Sequence, residues 1–443
     1  MIQLLLLLLG PRFAVRHLPK LLAFGAIWLA IGAVVVVDAL DGALWFPLQT
    51  FGVLLLAEGI AALALAHSGI SLQTGFRYVK GAIGVLIGVL VIARHSYSDF
   101  LLAMLFGAGF ALEGCLLIAA AWIVRYRHWR STIAIGVFSL VLAVIFFQPY
   151  PTHYRGTVPY CIGMWLVVSG VRMIWLYRRL RKSGYGRDCA TAPACADTGA
   201  VEAIKDSPMV VHVWTPVGSS KNAAVRRPVI DRYIAAVDIN GVISTGHAAL
   251  EAGNLYLSLY PAVEIDRSPD EFARLLRADS SNDVRGRYLP SYPEEAAAWC
   301  DSTMKIAFRR YDAARLVAFA TEYKATEIYN LTNRNCSSTV AEAIDAALEG
   351  SEYRNGGWRD VLRLIVLPEL WIAAQLRHRA QTMAWTPGLV LDYARALRVV
   401  SQPPAIGWIA LAALAWRQSR RARVTHNANA NANANANANA EPR

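Results

Sequence analysis

One cysteine and one histidine have the sequence context that a thiol-dependent reaction requires. Cys336 lies in an Asn-Cys-Ser-Ser segment immediately before a predicted helix, and His247 follows a glycine on a predicted strand. The unpaired amides and the positive dipole end of a helix N-terminus stabilise a thiolate. A nearby imidazole lowers the pKa of such a thiol further and can act as its base. Two features that one mechanism needs are therefore present in one chain.

The other histidines and cysteines have no comparable context. His212 lies on a predicted strand without a companion motif, and His378 lies in a basic amphipathic helix. The cysteines are scattered, and none forms the CxxC pair that suggests zinc or a redox site. We therefore predict reduced thiols, no metal site and no cofactor. The cysteines are Cys115, Cys161, Cys189, Cys195, Cys300 and Cys336.

Three short segments of the C-terminal half resemble one enzyme superfamily. Residues 246–251, 256–261 and 335–338 are similar to the circularly permuted NlpC/P60-like (papain-like) superfamily, and the similarity covers roughly residues 209–350. There the histidine precedes the cysteine, as here. Lecithin–retinol acyltransferase-like enzymes and several bacterial peptidases and amidases share this order. The resemblance implies an α+β papain-like domain with a small antiparallel sheet, Cys336 as nucleophile and His247 as general base.

A third residue normally orients the imidazole, often from the next strand about a dozen residues on. That window holds Ser258, Leu259 and Tyr260, and it contains no Asp, Asn, Gln or second His. Ser258 can accept the imidazole N–H weakly. Glu264 is chemically better suited but lies further along the chain. The third member of the site stays open at this stage.

The predicted elements around Cys336 and His247 are strands followed by helices. Short β-branched runs and a Gly-Asn turn at residues 253–254 predict strands over Met209–Trp214, Ile234–Val237, Val242–Leu250 and Leu255–Tyr260. A Ser-Pro-Asp-Glu segment at residues 268–271 predicts a helix start. Further helices are predicted as about two within Glu294–Lys324 and one over Ser337–Leu348.

The N-terminal half has a composition suited to lipid. Only 17% of the chain is charged and 55% is hydrophobic, whereas soluble proteins average about 25% charged. A membrane-spanning helix needs about 20 apolar residues. We predict an all-α six-helix transmembrane bundle within residues 1–182, preceded by an interfacial segment at Met1–Leu9. The six apolar runs are Leu21–Val37, Trp45–Ala66, Val79–Ala93, Leu101–Val124, Thr132–Phe147 and Val158–Leu176.

Basic residues predict the orientation of this bundle. The chain carries a net charge of +12, and Lys and Arg gather before the first apolar run, after the second and fourth, and after the sixth. The positive-inside rule then places both termini and the soluble domain in the cytoplasm. The same clusters favour anionic lipid headgroups as partner, and we predict no nucleic-acid binding.

Three apolar hairpins look like copies of one unit. Leu56–Gly59, Ala111–Gly114 and Val167–Gly170 each place a polar residue before glycine in an even-numbered run. With the six-helix count, this pattern over roughly residues 15–180 resembles the HdeD (DUF308-type) family of small bacterial inner-membrane proteins. The resemblance implies a multi-pass inner-membrane location and a link to acid resistance. A homo-oligomer formed through the bundle is compatible with it.

Two carboxylates lie in the apolar runs. Glu58 and Glu113 are costly at lipid depth, and such residues usually face a bundle interior. They can handle protons or ions, or they can form hydrogen bonds between helices as protonated carboxyls. Both alternatives stay open, as does transport through the bundle.

The remaining segments connect or flank these domains. Residues 183–207 read as a linker, 208–352 as the permuted papain-like thiol hydrolase-like domain, and 418–443 as a disordered Asn-Ala tail. Residues 353–417 are basic and amphipathic. They suit either helices at the membrane interface or ordinary packing against the soluble domain or the helical bundle.

Two functions fit these features best. The first is a membrane-anchored thiol hydrolase or acyltransferase that acts on an amide, ester or thioester, with a lipid or a membrane-protein segment as substrate. The second is a non-enzymatic HdeD-like membrane stress or acid-resistance protein with a degenerate soluble binding module.

Overall fold

A computed structural model describes most of the chain, and its described residues form two compact units. Unit 1 comprises Met1–Ala26, Leu112–Leu140 and Val171–Pro403, and unit 2 includes the described parts of Ile27–Ala111 and Val141–Gly170. The described residues are 1–41, 48–64, 74–93, 96–125, 129–182, 197–219, 233, 236–237, 243–263, 277–353, 358–382 and 384–402.

Helices cover the described part of each predicted apolar run. They are α1 (Ile2–Asp41), α2 (Leu48–Ala64), α3 (Thr74–Ala93), α4 (Ser96–Val124), α5 (Trp129–Phe147) and α6 (Thr157–Lys182). Within the described residues, four spans are long and apolar enough to cross a membrane: Arg16–Leu40, Tyr97–Val124, Trp129–Phe147 and Thr157–Lys182. The chain therefore has the helices of a membrane protein.

Glycines mark close helix contacts in these segments. A Cβ atom on Gly59 of α2 would lie 2.6 Å from the amide nitrogen of Val85 in α3. A Cβ atom on Gly114 of α4 would lie 2.7 Å from the carbonyl oxygen of Gly136 in α5. The glycine that follows each carboxylate thus allows two backbones to meet, as small residues do in membrane helices.

The carboxylate before Gly114 does not face a neighbouring helix. Glu113 is exposed on α4, contrary to the expectation of an interior position. Adjacent helix positions point about 100° apart because α-helices have 3.6 residues per turn. With Gly114 against α5, Glu113 is turned away from that contact. The side chain of Glu58 lies outside the described residues.

The first residues of α1 belong to the core of the soluble domain rather than to an interface. Leu4, Leu8 and Leu9 are at most 1% exposed and pack in the same hydrophobic cluster as the sheet described below. α1 is kinked at Gly10 (φ 77°). Pro11 lacks an N–H, so the carbonyl oxygen of Leu7 loses its usual helical partner.

The soluble domain is built on an antiparallel sheet. Its strand order is β5-β4-β1-β8, and β6-β7-β9 and β2-β3 form two smaller sheets. The described strands are β1 (Met209–Trp214), β2 (Ala236–Val237), β3 (Ile243–Ser244), β4 (His247–Ala252), β5 (Leu255–Leu257), β6 (Leu259–Pro261), β7 (Val284–Tyr288), β8 (Met304–Phe308) and β9 (Ile328–Tyr329). In the register of β1 with β4, Trp214 lies opposite His247.

The described part of this domain also contains seven helices. They are α7 (Thr198–Ile204), α8 (Tyr292–Ala298), α9 (Ala313–Ala325), α10 (Cys336–Leu348), α11 (Trp358–Val366), α12 (Pro368–Thr382) and α13 (Pro387–Ser401). Val340, Ile344 and Leu348 of α10 are fully buried in the core with Val211 and Leu250 of the sheet. Because α10 packs on β4, the helix that begins at Cys336 is held against the strand that begins at His247.

The structure also differs from the sequence predictions within the soluble domain. Residues 198–204, expected as linker, form α7, whose Ile204 is buried in the core. Strand β8 interrupts Glu294–Lys324, expected as about two helices, because a five-residue segment is too short to show a helical or strand period. α13 is almost wholly buried against α10, β1 and β8, so it is a core helix rather than an interfacial one.

Exposed apolar residues remain on the two preceding helices. Leu362, Val366 and Trp371 are 43–70% exposed on α11 and α12, and contact of this region with the membrane stays a prediction. The expected helix start at residues 268–271, the linker residues 183–196 and the Asn-Ala tail lie outside the described residues.

Candidate active site

A capping box fixes where α10 begins. The side chain of Asn335 accepts a hydrogen bond from the Ser338 amide at 2.8 Å, and the Ser338 hydroxyl accepts one from the Asn335 amide at 2.9 Å. Two of the unpaired amides at the helix start are thereby satisfied by side chains. Cys336 is the first helical residue, and its thiol is partly buried. The sequence prediction of a cysteine at a helix N-terminus agrees with this arrangement.

Two polar side chains, Asn330 and Arg334, fix the loop before α10. Asn330 is fully buried and donates to the carbonyl oxygen of Asp279 at 3.2 Å and to Oδ1 of Asp283 at 2.7 Å. The guanidinium of Arg334 lies 3.8 Å from the Tyr323 ring centroid and donates to the Tyr323 carbonyl oxygen at 2.7 Å. These contacts hold the backbone that presents Cys336.

The glycine before His247 is required by its backbone conformation. Gly246 has φ +72°, and a Cβ atom there would lie 2.3 Å from the carbonyl oxygen of Trp214. Only glycine adopts this conformation without strain. The turn places His247 at the first position of β4, where it is 3% exposed.

His247 and Cys336 shift each other's pKa values in opposite directions. Burial alone would raise the pKa of the Cys336 thiol. The charge and hydrogen bond of His247 and a hydrogen bond from the Ala248 amide outweigh that effect and lower it. Burial would also lower the pKa of His247, but the Cys336 thiolate and the carboxylate of Glu295 outweigh it and raise that pKa. A thiolate–imidazolium pair is therefore favoured.

One nitrogen of the His247 imidazole has two oxygen neighbours. Nε2 of His247 lies 2.9 Å from Oγ of Ser258 and 3.3 Å from Oε1 of Glu295. A carboxylate can only accept a hydrogen bond, so Nε2 carries the proton in this arrangement.

The carboxylate of Glu295 is buried and held by two tyrosines. Glu295, on α8, is 2% exposed. The Tyr256 hydroxyl donates to its Oε2 at 2.6 Å, and the Tyr260 hydroxyl donates to its Oε1 at 2.7 Å. Burial and the neighbouring carboxylate raise the pKa of both tyrosines, so both remain neutral donors. The Tyr260 ring also stacks on the imidazole of His247, with centroids 4.2 Å apart.

Sequence reasoning singled out Cys336 and His247 and left the third residue open between Ser258 and Glu264. Cys336 and His247 interact, and Ser258 lies beside the imidazole. Glu264 lies outside the described residues. Glu295 was not singled out because it follows β7 on a helix, far from the window after His247. The sequence did contain one signal for Glu295. It lies in a Ser-Tyr-Pro-Glu-Glu helix start, where one of the two adjacent carboxylates faces the protein interior.

His212, on strand β1, is held by two side chains outside the candidate site. Nε2 of His212 lies 2.9 Å from Oε2 of Glu251, and Nδ1 lies 3.2 Å from Oγ of Ser302. Burial lowers the pKa of His212 against the opposing effect of Glu251. Both ring nitrogens are thus occupied. Among the described residues, no group of three or more His, Cys, Asp or Glu side chains is arranged to hold a metal ion.

Comparison of the chain with protein-family models, with curated proteins and with solved structures finds no match.

Proposed function

We propose that this protein is a membrane-anchored thiol hydrolase or acyltransferase that acts on an amide, ester or thioester. The observation that carries the proposal is the pairing of His247 with Cys336 at the start of α10, with opposite shifts of their pKa values. Low-pKa thiols at helix N-termini are the nucleophiles of thiol enzymes. The helix-on-sheet arrangement around the pair also supports the papain-like fold that the sequence resembles.

The proposed reaction has two steps. The Cys336 thiolate attacks the carbonyl carbon, and amides at the α10 N-terminus stabilise the oxyanion. His247 gives its proton to the leaving amine, alcohol or thiol, which departs and leaves an acyl-thioester on Cys336. A second nucleophile then loses its proton to His247 and attacks that thioester. Water completes hydrolysis, and an alcohol or amine completes acyl transfer; either way the thiolate–imidazolium pair is restored.

Contacts inside unit 1 support a substrate at the membrane surface. The amide of Ala278 donates to the carbonyl oxygen of Val124, the last residue of α4, at 2.9 Å. The neighbouring Asp279 accepts from Asn330, in the loop that leads to Cys336. Arg125 lies over the Trp122 and Trp129 rings, 5.2 and 5.7 Å from their centroids. Tryptophan and arginine are typical of the membrane–water boundary.

The same unit supports the proposed orientation. The start of α1, the end of α4, the start of α5 and the end of α6 fall in unit 1 with the soluble domain. They adjoin three of the four basic clusters that the positive-inside rule assigns to the cytoplasm. We therefore propose a six-helix bacterial inner-membrane bundle, with α2 and α3 also crossing, that holds a cytoplasmic enzyme domain. A lipid or a membrane-protein segment is the proposed substrate.

The alternative is an HdeD-like stress protein whose soluble domain binds without catalysis. Alkylation of each cysteine of the full chain by iodoacetamide, read by peptide mass spectrometry near neutral pH, discriminates the two. The enzyme proposal expects Cys336 to react at least about tenfold faster than Cys300, whose thiol pKa is raised by burial and by Asp301. Equal rates, with a labelling total unchanged by Cys336→Ala, would remove the enzyme proposal.

A further inference from the structure

We propose that Glu295 is the positioning residue of this site, in the role that sequence reasoning sought on the strand after His247. The inference rests on the proposed function and assigns a part of its machinery. Oε1 of Glu295 lies 3.3 Å from Nε2 of His247. The Cys336 thiol acts on the same imidazole through its charge and a hydrogen bond, so the ring interacts with both a thiol and a carboxylate.

Glu295 and Ser258 affect the His247 imidazole differently because only Glu295 is a charged side chain. Both oxygens lie near Nε2, at 3.3 and 2.9 Å, so both orient the ring. Only the carboxylate carries a negative charge that favours imidazolium over neutral imidazole. Glu295 acts on His247, and the imidazolium in turn stabilises the thiolate of Cys336.

The two tyrosines hold the carboxylate of Glu295 beside the imidazole. The Tyr256 hydroxyl donates to Oε2 at 2.6 Å, and the Tyr260 hydroxyl donates to Oε1 at 2.7 Å. Stacking of Tyr260 on the ring, with centroids 4.2 Å apart, restricts the plane of the imidazole. Both oxygens of the carboxylate are thus fixed next to the ring they act on.

The position of the carboxylate differs from that of a strand-borne third residue. Glu295 comes from α8, and the Ser291 side chain caps this helix by accepting from the Glu294 amide. The cap sets the first turn of α8, which directs Glu295 inward while Glu294 stays exposed. Two adjacent glutamates thus have different environments, and Glu294 provides a matched control.

The test is the pH at which Cys336 alkylation reaches half its maximal rate, measured on the full chain. Glu295→Gln keeps the shape of the side chain and removes its charge. We expect the midpoint to rise by roughly 1–2 pH units. Ser258→Ala and Glu294→Gln are expected to move the midpoint by less than about half a unit. Glu295→Asp keeps the charge at a longer distance and should give an intermediate midpoint.

The outcomes distinguish a failure of the proposed function from a failure of the Glu295 assignment. If wild-type Cys336 has the midpoint of an ordinary thiol, the proposed function fails first. If the wild-type midpoint is low and stays low in Glu295→Gln, the assignment of Glu295 is wrong while the thiol site stands. Thermal melting reports folding, and if Glu295→Gln does not fold, an unchanged midpoint in Glu295→Asp overturns the assignment.

Discussion

The amide of Gly350 donates a hydrogen bond of 2.9 Å to the carbonyl oxygen of Leu7. The carbonyl oxygen of Leu8 likewise accepts from the Glu352 amide at 3.0 Å. Pro11 and the kink at Gly10 free these two carbonyls, and the chain that follows α10 satisfies them. The first turns of α1 are thereby bonded into the domain that carries Cys336, although the rest of α1 and the helices α2 to α10 lie between them in the sequence.

This relationship predicts that the chain start stabilises the soluble domain. Leu8 is fully buried, and Leu→Ala substitutions in cores cost about 2–5 kcal/mol. Leu8→Ala should therefore lower the Tm of the soluble domain by roughly 5–15 °C. Leu40→Ala, on an exposed position of the same helix, is the matched control and should leave Tm nearly unchanged. Equal melting of both variants would contradict the packing of α1.

The pKa shifts predict how the reactivity of Cys336 depends on pH. The thiol pKa is lowered by the charge of His247, so thiolate is present below the ordinary thiol range and is lost only as the pH falls through the lowered value. His247→Ala removes that charge while burial remains. The alkylation midpoint should rise, and the rate near pH 6.5 should fall at least about tenfold. Rates at strongly alkaline pH should converge, and a midpoint that does not rise would contradict the pairing.

The loop before Cys336 depends on one buried amide. Asn330→Ala removes the two hydrogen bonds that the side-chain amide donates, leaving Oδ1 of Asp283 without that donor. It also removes the two that Oδ1 of Asn330 accepts from the amides of Thr332 and Asn333. Loss of a buried partner costs about 1–3 kcal/mol, so Tm should fall by several degrees and Cys336 alkylation should slow. Asn333→Ala changes an exposed side chain in the same loop and should alter neither. Wild-type reactivity in Asn330→Ala would show that this loop does not position the thiol.

The proposed orientation is tested by topology reporters. A fusion after Arg443 should be active only in a cytoplasmic format, because the loops on that side carry the Lys and Arg residues. A reporter inserted within residues 148–156 should be active only in a periplasmic format. The reverse result would place the thiol site outside the cytoplasm and redirect the proposed substrate towards the cell wall.

Sequence patterns predicted where the main helices lie, but they did not predict which parts of the chain pack together. Apolar runs give the six helices, and the Asn-Cys-Ser-Ser segment gives the start of α10, because periodicity and capping are local properties. The burial of Leu4–Leu9 was missed because a short apolar helix can lie in a core or at an interface with the same residues. Glu295 was missed because its role depends on Tyr256 and Tyr260, whose approach is a property of the fold.

We expect Cys336 to carry an acyl group during turnover. This claim is tested by incubating the full chain in lipid vesicles with simple acyl ester, thioester and amide probes, quenching in acid, and locating adducts by peptide mass spectrometry. We predict an acyl adduct on Cys336 that hydroxylamine removes, that is absent from Cys336→Ala and that is strongly reduced in His247→Ala. Probe turnover that persists in Cys336→Ala, or that proceeds without any acyl adduct on Cys336, would contradict the claim.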